Sequence, residues 1–230
     1  MSVIGWIVDA QVDFMDPHGR LYIKDLGDDD DPGSTLIVET LREAVAWMKQ
    51  KCDLLVYTGD WHGLDDDEID EHAPDPQSGT YPPHCMGRSH DSGERDGAWI
   101  IPEIRPDDPV VLAFDADHEA AITVARSALS QGRPVFIQKT RFDVFTGNPA
   151  TESFLAAAGD ELGRPMSFFV IGVARDVCVT QAVDGMQARG YAVTALSDAT
   201  WGLGLEPEAV TLARWAQKGR VTTLAELRSG

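Results

Sequence analysis

Asp60 and His62 in the run TGDWH (58–62), with His84 in the run YPPHC (81–85), are residue types that hold a divalent metal through oxygen and imidazole nitrogen. An Asp-x-His pair on an extended segment sends both side chains to one side, because direction repeats every two residues. A distant histidine can then complete a trio that leaves positions open for water or substrate. Nitrogen and oxygen donors without thiolate suit one divalent ion, zinc foremost, with manganese or iron(II) as alternatives. His72 and Asp75 lie in the same segment and are candidates for a fourth ligand or for partners that orient the ligands.

A third run, VIGVARDVC (170–178), reads as a buried strand that breaks abruptly and delivers Cys178 to the start of a helix. A free thiol has a pKa of about 8.5, so a cysteine nucleophile needs a helix N-terminus, a cation or a base beside it. The helix would supply partial positive charge, Lys139 a full one, and Asp9 would accept the thiol proton and return it to a leaving amine. The backbone N–H groups of Ala174 and Cys178, in the turn after the strand, could receive an oxyanion. The chemistry implied is metal-assisted acyl transfer to water. Cys52 and Cys85 lack this context and are expected to be inert. Asp13, Asp176, Asp184 and Asp198 are expected to cap, turn or support the chain, and His18, His90 and His118 to lie at the surface.

Placing these groups requires strands. Apolar runs of strand length fall at 3–8, 54–57, 110–114, 135–137, 167–173 and 191–196, mostly without strict alternation, as strands covered on both faces should be. Helical spacing occupies 36–48, 119–129, 151–162, 179–188 and 206–215, and Gly132 and Gly190 sit at helix stops. The alternation predicts an α/β fold of three layers, α/β/α, around a mainly parallel sheet of about six strands with Rossmann-like topology. In such sheets ligands bind at the carboxyl ends of strands, and Asp9, Asp60, Lys139 and Cys178 all fall there. The segment 59–108 is rich in Pro, Gly and Asp and has little periodicity, so it is expected to be a functional loop.

At 230 residues with 43% hydrophobic content, the chain can close one sizeable core, read as a single domain over 1–230. Its formal charge of −19, from 38 acidic and 19 basic side chains, argues against nucleic-acid and anionic-membrane partners. The acidic runs 28–31 and 65–71 are expected to be solvated loops. Three widely spaced cysteines argue against a disulfide framework, and with no basic leader or long apolar stretch the expected location is the cytoplasm.

The runs VDAQVDF (8–14), TGDWH, YPPHC, QKTRFDVF around Lys139 and GVARDVCV (172–179) together resemble the isochorismatase-like cysteine hydrolases, and within them the nicotinamidases. The resemblance implies a triad of Asp9, Lys139 and Cys178, with Asp60, His62 and His84 as metal ligands. It also implies a cis peptide between Val173 and Ala174 that turns the Ala174 N–H toward the oxyanion. The substrate ring would lie between aromatic residues, here Phe14 and Tyr81, with its pyridine nitrogen toward the metal or its water. A small amide substrate and a homo-oligomer are further implications. The sequence departs from the pattern after DWH, where GLDDDEIDEH replaces the usual Pro and His-x-Ser-Phe, and has Tyr81 where Trp is common and Thr140 where Gly is frequent. The segment 110–133 is expected to form a lid or a subunit interface. An amidase for carbamoyl or ureido substrates is the competing enzyme, and relatives of that kind generally lack the metal trio. Isochorismatase chemistry is disfavoured, since the enzymes that perform it have replaced the cysteine. A metal-binding scaffold without turnover is the alternative outside catalysis.

Overall fold

The computed structural model describes residues 1–163 and 165–229. Its strands are β1 (Ser2–Val8), β2 (Leu54–Asp60), β3 (Val110–Leu112), β4 (Val135–Lys139), β5 (Met166–Val173), β6 (Ala192–Trp201) and β7 (Arg220–Thr222). They form one sheet in the order β3-β4-β2-β1-β5-β6-β7, and every neighbouring pair is parallel. The helices are α1 (Val12–Met15), α2 (Val38–Lys51), α3 (Ser92–Asp96), α4 (His118–Gln131), α5 (Val144–Gly147), α6 (Thr151–Leu162), α7 (Thr180–Ala188), α8 (Glu208–Ala216) and α9 (Leu224–Ser229).

Two apolar layers account for the arrangement. On one face, Ile4, Trp6 and Val8 of β1 pack with Ala121, Val124 and Ala128 of α4, Phe154 of α6, Val183 of α7 and Trp215 of α8. On the other, Ile7 and Tyr57 pack with Leu41, Ala44, Val45 and Met48, a stripe at helical spacing along α2, and with Leu224 of α9. Strands covered on both faces have no polar side to alternate, and β2 is buried along its whole length. Asp117 caps α4 by accepting from Ala120 N–H at 2.8 Å, and Gly132 and Gly190 take the left-handed conformation expected of helix stops.

Among the described residues the sheet has seven strands, in line with the about six expected; the one not foreseen, β7, is three residues long and too short to stand out as an apolar run. Strand β6 continues past Leu196 through Ser197 and Asp198, whose polarity hides it. The segment 110–133 is no lid: it supplies the edge strand β3 and helix α4, which packs on α6. Among the described residues no helix is long and apolar enough to cross a membrane.

Strand order explains why a crevice forms at all. From β1 the chain builds outward to β2, β4 and β3 on one side and then returns to place β5 on the other, so the connections leaving β1 and β5 diverge. The carboxyl ends of β4, β2, β1 and β5 are consecutive across this opening.

Candidate active site

Those four ends carry the four reactive groups. Asp9 follows β1 with φ of +46°, a conformation uncommon outside glycine. Asp60 and Lys139 are the last residues of β2 and β4 and are directly paired in the ladder. After β5 the Val173–Ala174 peptide is cis, and Arg175–Val179 form one π-helical turn that leads into α7. Gly172 lets β5 hug β1, since a Cβ there, at φ of +123°, would collide with the carbonyl oxygen of Val8. Cys178 is thereby brought beside Asp9, one turn inside the helical segment rather than at its first residue.

Lys139 is the centre of the cluster and is only 1% exposed. Its Nζ lies 2.9 Å from Asp9 Oδ2, a charge contact rather than an aligned hydrogen bond, donates to Asp60 Oδ1, and stands 4.0 Å from Cys178 Sγ. A carboxylate oxygen of Asp9, one of Asp60 and the sulfur of Cys178 all lie within 4.8 Å of one another. Asp9 Oδ1 is held by the Thr58 hydroxyl at 2.6 Å.

The charges divide the proton between these groups. Burial pushes the Asp9 carboxyl up, opposed by Lys139 and reinforced by Asp60. Burial would also raise Asp60, but Lys139, His62 and His84 hold it below the ordinary value. Lys139 stays well above its usual pKa, because the two carboxylates outweigh its desolvation. Burial, with Asp9 and Asp60, pushes the Cys178 thiol well up against the pull of Lys139. The resting cysteine is therefore a thiol, in line with a base that takes its proton during the reaction. A third negative charge beside two carboxylates and one ammonium is unfavourable until the thiol proton has somewhere to go, and Asp9 is the basic group within reach.

On the far side of Asp60 the predicted ligand trio assembles. Asp60 Oδ2 is 3.9 Å from both His62 Nε2 and His84 Nε2, and all three side chains are buried. The other ring nitrogens are occupied: His62 Nδ1 meets Asp66 Oδ2 at 2.9 Å and His84 Nδ1 meets the Pro82 carbonyl at 2.7 Å. With those bonds made through N–H, both Nε2 lone pairs face Asp60, and His62 Nε2 is buried without any partner. Burial and then His62 push His84 down to about 4, which keeps it neutral. Two imidazole nitrogens and a carboxylate converging on one point, with an orphaned nitrogen among them, fit a divalent ion. Gln11 steadies Asp60 by accepting from its N–H and donating to its carbonyl, both at 2.8 Å. Asp13 accepts from Cys85 N–H at 2.7 Å and so fixes the turn that carries His84. Asp66→Ala should lower metal affinity about 10–100-fold in chelator competition, because the His62 tautomer loses its anchor.

Phe14 and Tyr81 stand beside the predicted ligand trio. Their ring centroids lie 5.3 Å and 6.0 Å from that of His84. With Leu21, Ile23, Phe142, Val177 and Leu203 they wall a cavity that also touches Asp60, Glu68, His84, Ala174 and Cys178. Its free space is about 20 Å³, room for roughly one water. A wider cleft of about 340 Å³ opens near Lys49, Tyr57 and Arg133 at the other end of the strands, away from every reactive group above.

Two residues of the run 65–71 overturn its reading as a solvated loop. Asp66 anchors His62, and Glu68 is 7% exposed with both carboxyl oxygens on Phe142 N–H, at 3.0 and 2.9 Å. Tertiary position separates neighbours of one type: Asp65 and Asp67 face solvent while Asp66 and Glu68 turn inward, with Ile69 in a β-bridge to Tyr81. His72 and Asp75 are exposed, Asp75 capping the short turn Pro76–Ser78, and neither joins the ligand trio. Cys52 and Cys85 are raised by burial and remain outside the cluster, while Asp176 and Asp198 bond the N–H groups of Leu203, Leu205 and Leu224, and Asp184 pairs with Arg214.

Burial, with Asp60 adding, pushes Glu68 up to about 8. An unfolded glutamate ionises near 4.5, so between that pH and 8 the folded chain holds one more proton and stability falls as pH rises. Glu68→Gln removes this penalty. In urea unfolding of metal-free protein, the variant should gain on the native chain by on the order of 3 kcal/mol between pH 5 and 8.

Compared with known families, residues 6–226 match the model of the isochorismatase domain. The chain belongs to the isochorismatase family. No curated protein matches it by sequence. Among solved structures it is similar to the nicotinamidase/pyrazinamidase of Bacillus subtilis, with 16% identity, 96% of this chain and 100% of that one covered, and a TM-score of 0.65. The N-carbamoylsarcosine amidase of Thermoplasma acidophilum gives 20% identity, 97% and 96% coverage and a TM-score of 0.63. The pyrazinamidase of Pyrococcus horikoshii, solved in complex with zinc, gives 20% identity, 97% and 100% coverage and a TM-score of 0.60. At these identities the likeness concerns the fold, so within the isochorismatase family the substrate is a question for the site.

Proposed function

We propose that this isochorismatase-family hydrolase is a nicotinamidase, converting nicotinamide and water to nicotinic acid and ammonia through a thioester on Cys178. The observation that carries this reading is the cavity wall. It is apolar and aromatic, it joins Cys178 to the ligands Asp60 and His84, and it contains neither Arg nor Lys. A carbamoyl amino acid would bring a carboxylate into that wall with no Arg or Lys side chain to pair with it. A neutral heteroaromatic amide brings none, and its flat ring suits Phe14 and Tyr81.

In the reaction Asp9 accepts the thiol proton of Cys178 as sulfur attacks the amide carbon, with Lys139 stabilising the charge that moves onto sulfur. The carbonyl oxygen, now negative, is received by the N–H groups of Ala174 and Cys178. Asp9 returns its proton to the nitrogen, the C–N bond breaks and ammonia leaves. Water then attacks the thioester, Asp9 takes one of its protons, and the C–S bond breaks to give the acid and a thiolate that Asp9 reprotonates. A divalent ion held by Asp60, His62 and His84, zinc foremost, would act as a Lewis acid that polarises and orients a bound group. Substrate entry requires the side chains over the cavity to move, because a pyridine ring exceeds the free space.

Ammonia release from nicotinamide and from N-carbamoylsarcosine, each at matched concentration with metal content measured, tests the reading. Release from nicotinamide alone is expected. Release only from the carbamoyl acid would transfer the assignment to the competing amidase.

A further inference from the structure

The cleft of about 340 Å³ at the amino ends of the strands is lined by Tyr57, a buried residue of β2 that packs in the apolar layer facing α2. Its side chain is 0% exposed, and among the described residues its hydroxyl has no hydrogen-bond partner. An orphaned buried O–H is costly unless something in the cleft bonds to it. Burial and then the charge of Asp107 push the phenol well up, so it stays protonated and offers a donor. Asp107 is an exposed residue on the lining of the same cleft, and its carboxylate acts on the hydroxyl by charge without a hydrogen bond between them. A donor and an acceptor that sense each other without touching leave a gap that a third group can bridge.

The rest of the lining narrows what that group belongs to. Leu54, Leu55, Pro106 and Pro134 supply apolar walls, and the charged residues balance, Lys49 and Arg133 against Asp53 and Asp107. Arg133 is committed to Asp108 and Asp53 to the Val3 N–H. A carboxylate placed on the Tyr57 O–H would stand within reach of the Asp107 charge, and an ammonium has no lone pair to offer the O–H. The space is of the size of small-molecule sites and far more than one water needs. We propose that this cleft is a binding site for a small uncharged amide with an apolar body, its carbonyl accepting from the Tyr57 O–H and its N–H donating to Asp107. An amide carries acceptor and donor on neighbouring atoms, as the bridge requires. The site lies at the end of β2 opposite Asp60 and uses none of the groups assigned to hydrolysis, so it stands whatever the substrate of the catalytic cavity.

The probe is benzamide, titrated into full-length Cys178→Ala protein, which does not consume it, with the tyrosine ring carbon that bears the hydroxyl labelled with carbon-13 and Tyr57→Phe used to assign its signal. The chain has four tyrosines, and Tyr81, on the wall of the catalytic cavity, reports occupancy there. The Tyr57 signal should shift saturably, on a curve of its own, and benzoate and benzylamine should need at least about 10-fold higher concentration. Asp107→Ala, a change at an exposed residue, should weaken benzamide about 10-fold at Tyr57 and leave the Tyr81 curve in place. A Tyr57 signal that never saturates would mean that the cleft takes up water only and would overturn the proposal. So would an equal response to benzoate or benzylamine, a Tyr57 curve that follows that of Tyr81 in both proteins, or unchanged affinity in Asp107→Ala.

Discussion

Cys178→Ala should abolish nicotinamide hydrolysis, lowering kcat by about 10⁴-fold or more, while metal content stays at the wild-type level. The size of the loss follows from covalent catalysis: without sulfur no thioester forms, and the pocket and oxyanion donors can only assist direct attack by water. The thiol is 6% exposed and ends in the cavity, so truncation to Ala enlarges a space that substrate must occupy anyway and should leave the fold intact. Ammonia release and denaturant unfolding on the same preparation separate the two effects. A folded, metal-loaded variant that kept substantial turnover would remove Cys178 from the mechanism.

Lys139→Met should be the most damaging substitution for both activity and stability. The side chain is enclosed and, among the described residues, is the one basic side chain paired with both Asp9 and Asp60. Removing it leaves two buried carboxylates in mutual repulsion, a situation that costs roughly 3–5 kcal/mol. Turnover should fall by about 10³-fold or more, because Asp9 loses its orientation and the attacking sulfur its counter-charge. Combining Lys139→Met with Asp9→Asn removes one of the two stranded charges. Urea unfolding should then show recovery of part of the lost stability with no recovery of activity, a non-additivity expected of groups in direct contact. Additive destabilisation would mean that the cluster is not electrostatically coupled.

The parts of this site that the chain announces are those whose chemistry is tied to a strand end. Asp9, Asp60, Lys139 and Cys178 each terminate or follow an apolar run, and a parallel sheet brings such positions together whatever loops intervene. His84 was legible for a different reason, since Pro-Pro-His-Cys marks a rigid turn bearing a ligand type. What stayed hidden depends on tertiary position alone. Asp66 and Glu68 look like their four acidic neighbours in the run 65–71, and their inward turn goes with the β-bridge of Ile69 to Tyr81. Gln11 is an uncharged residue in a loop until Asp60 offers it both a donor and an acceptor. That Cys178 needs a base could be read from sequence, whereas its complete burial beside two carboxylates, which pushes the thiol well up, could not. Strand β7 and the extension of β6 escaped because short or polar edge segments carry no periodic signal.

The most direct measurement is the mass of the Cys178 peptide after acid quench of the wild-type protein during turnover of nicotinamide. A nicotinoyl thioester on Cys178, absent from Cys52, from Cys85 and from the Cys178→Ala variant, is the expected result, because it identifies nucleophile and substrate in one species. Ammonia release under the same conditions with that cysteine never modified would contradict the thioester mechanism, and no release at all would contradict nicotinamide as the substrate.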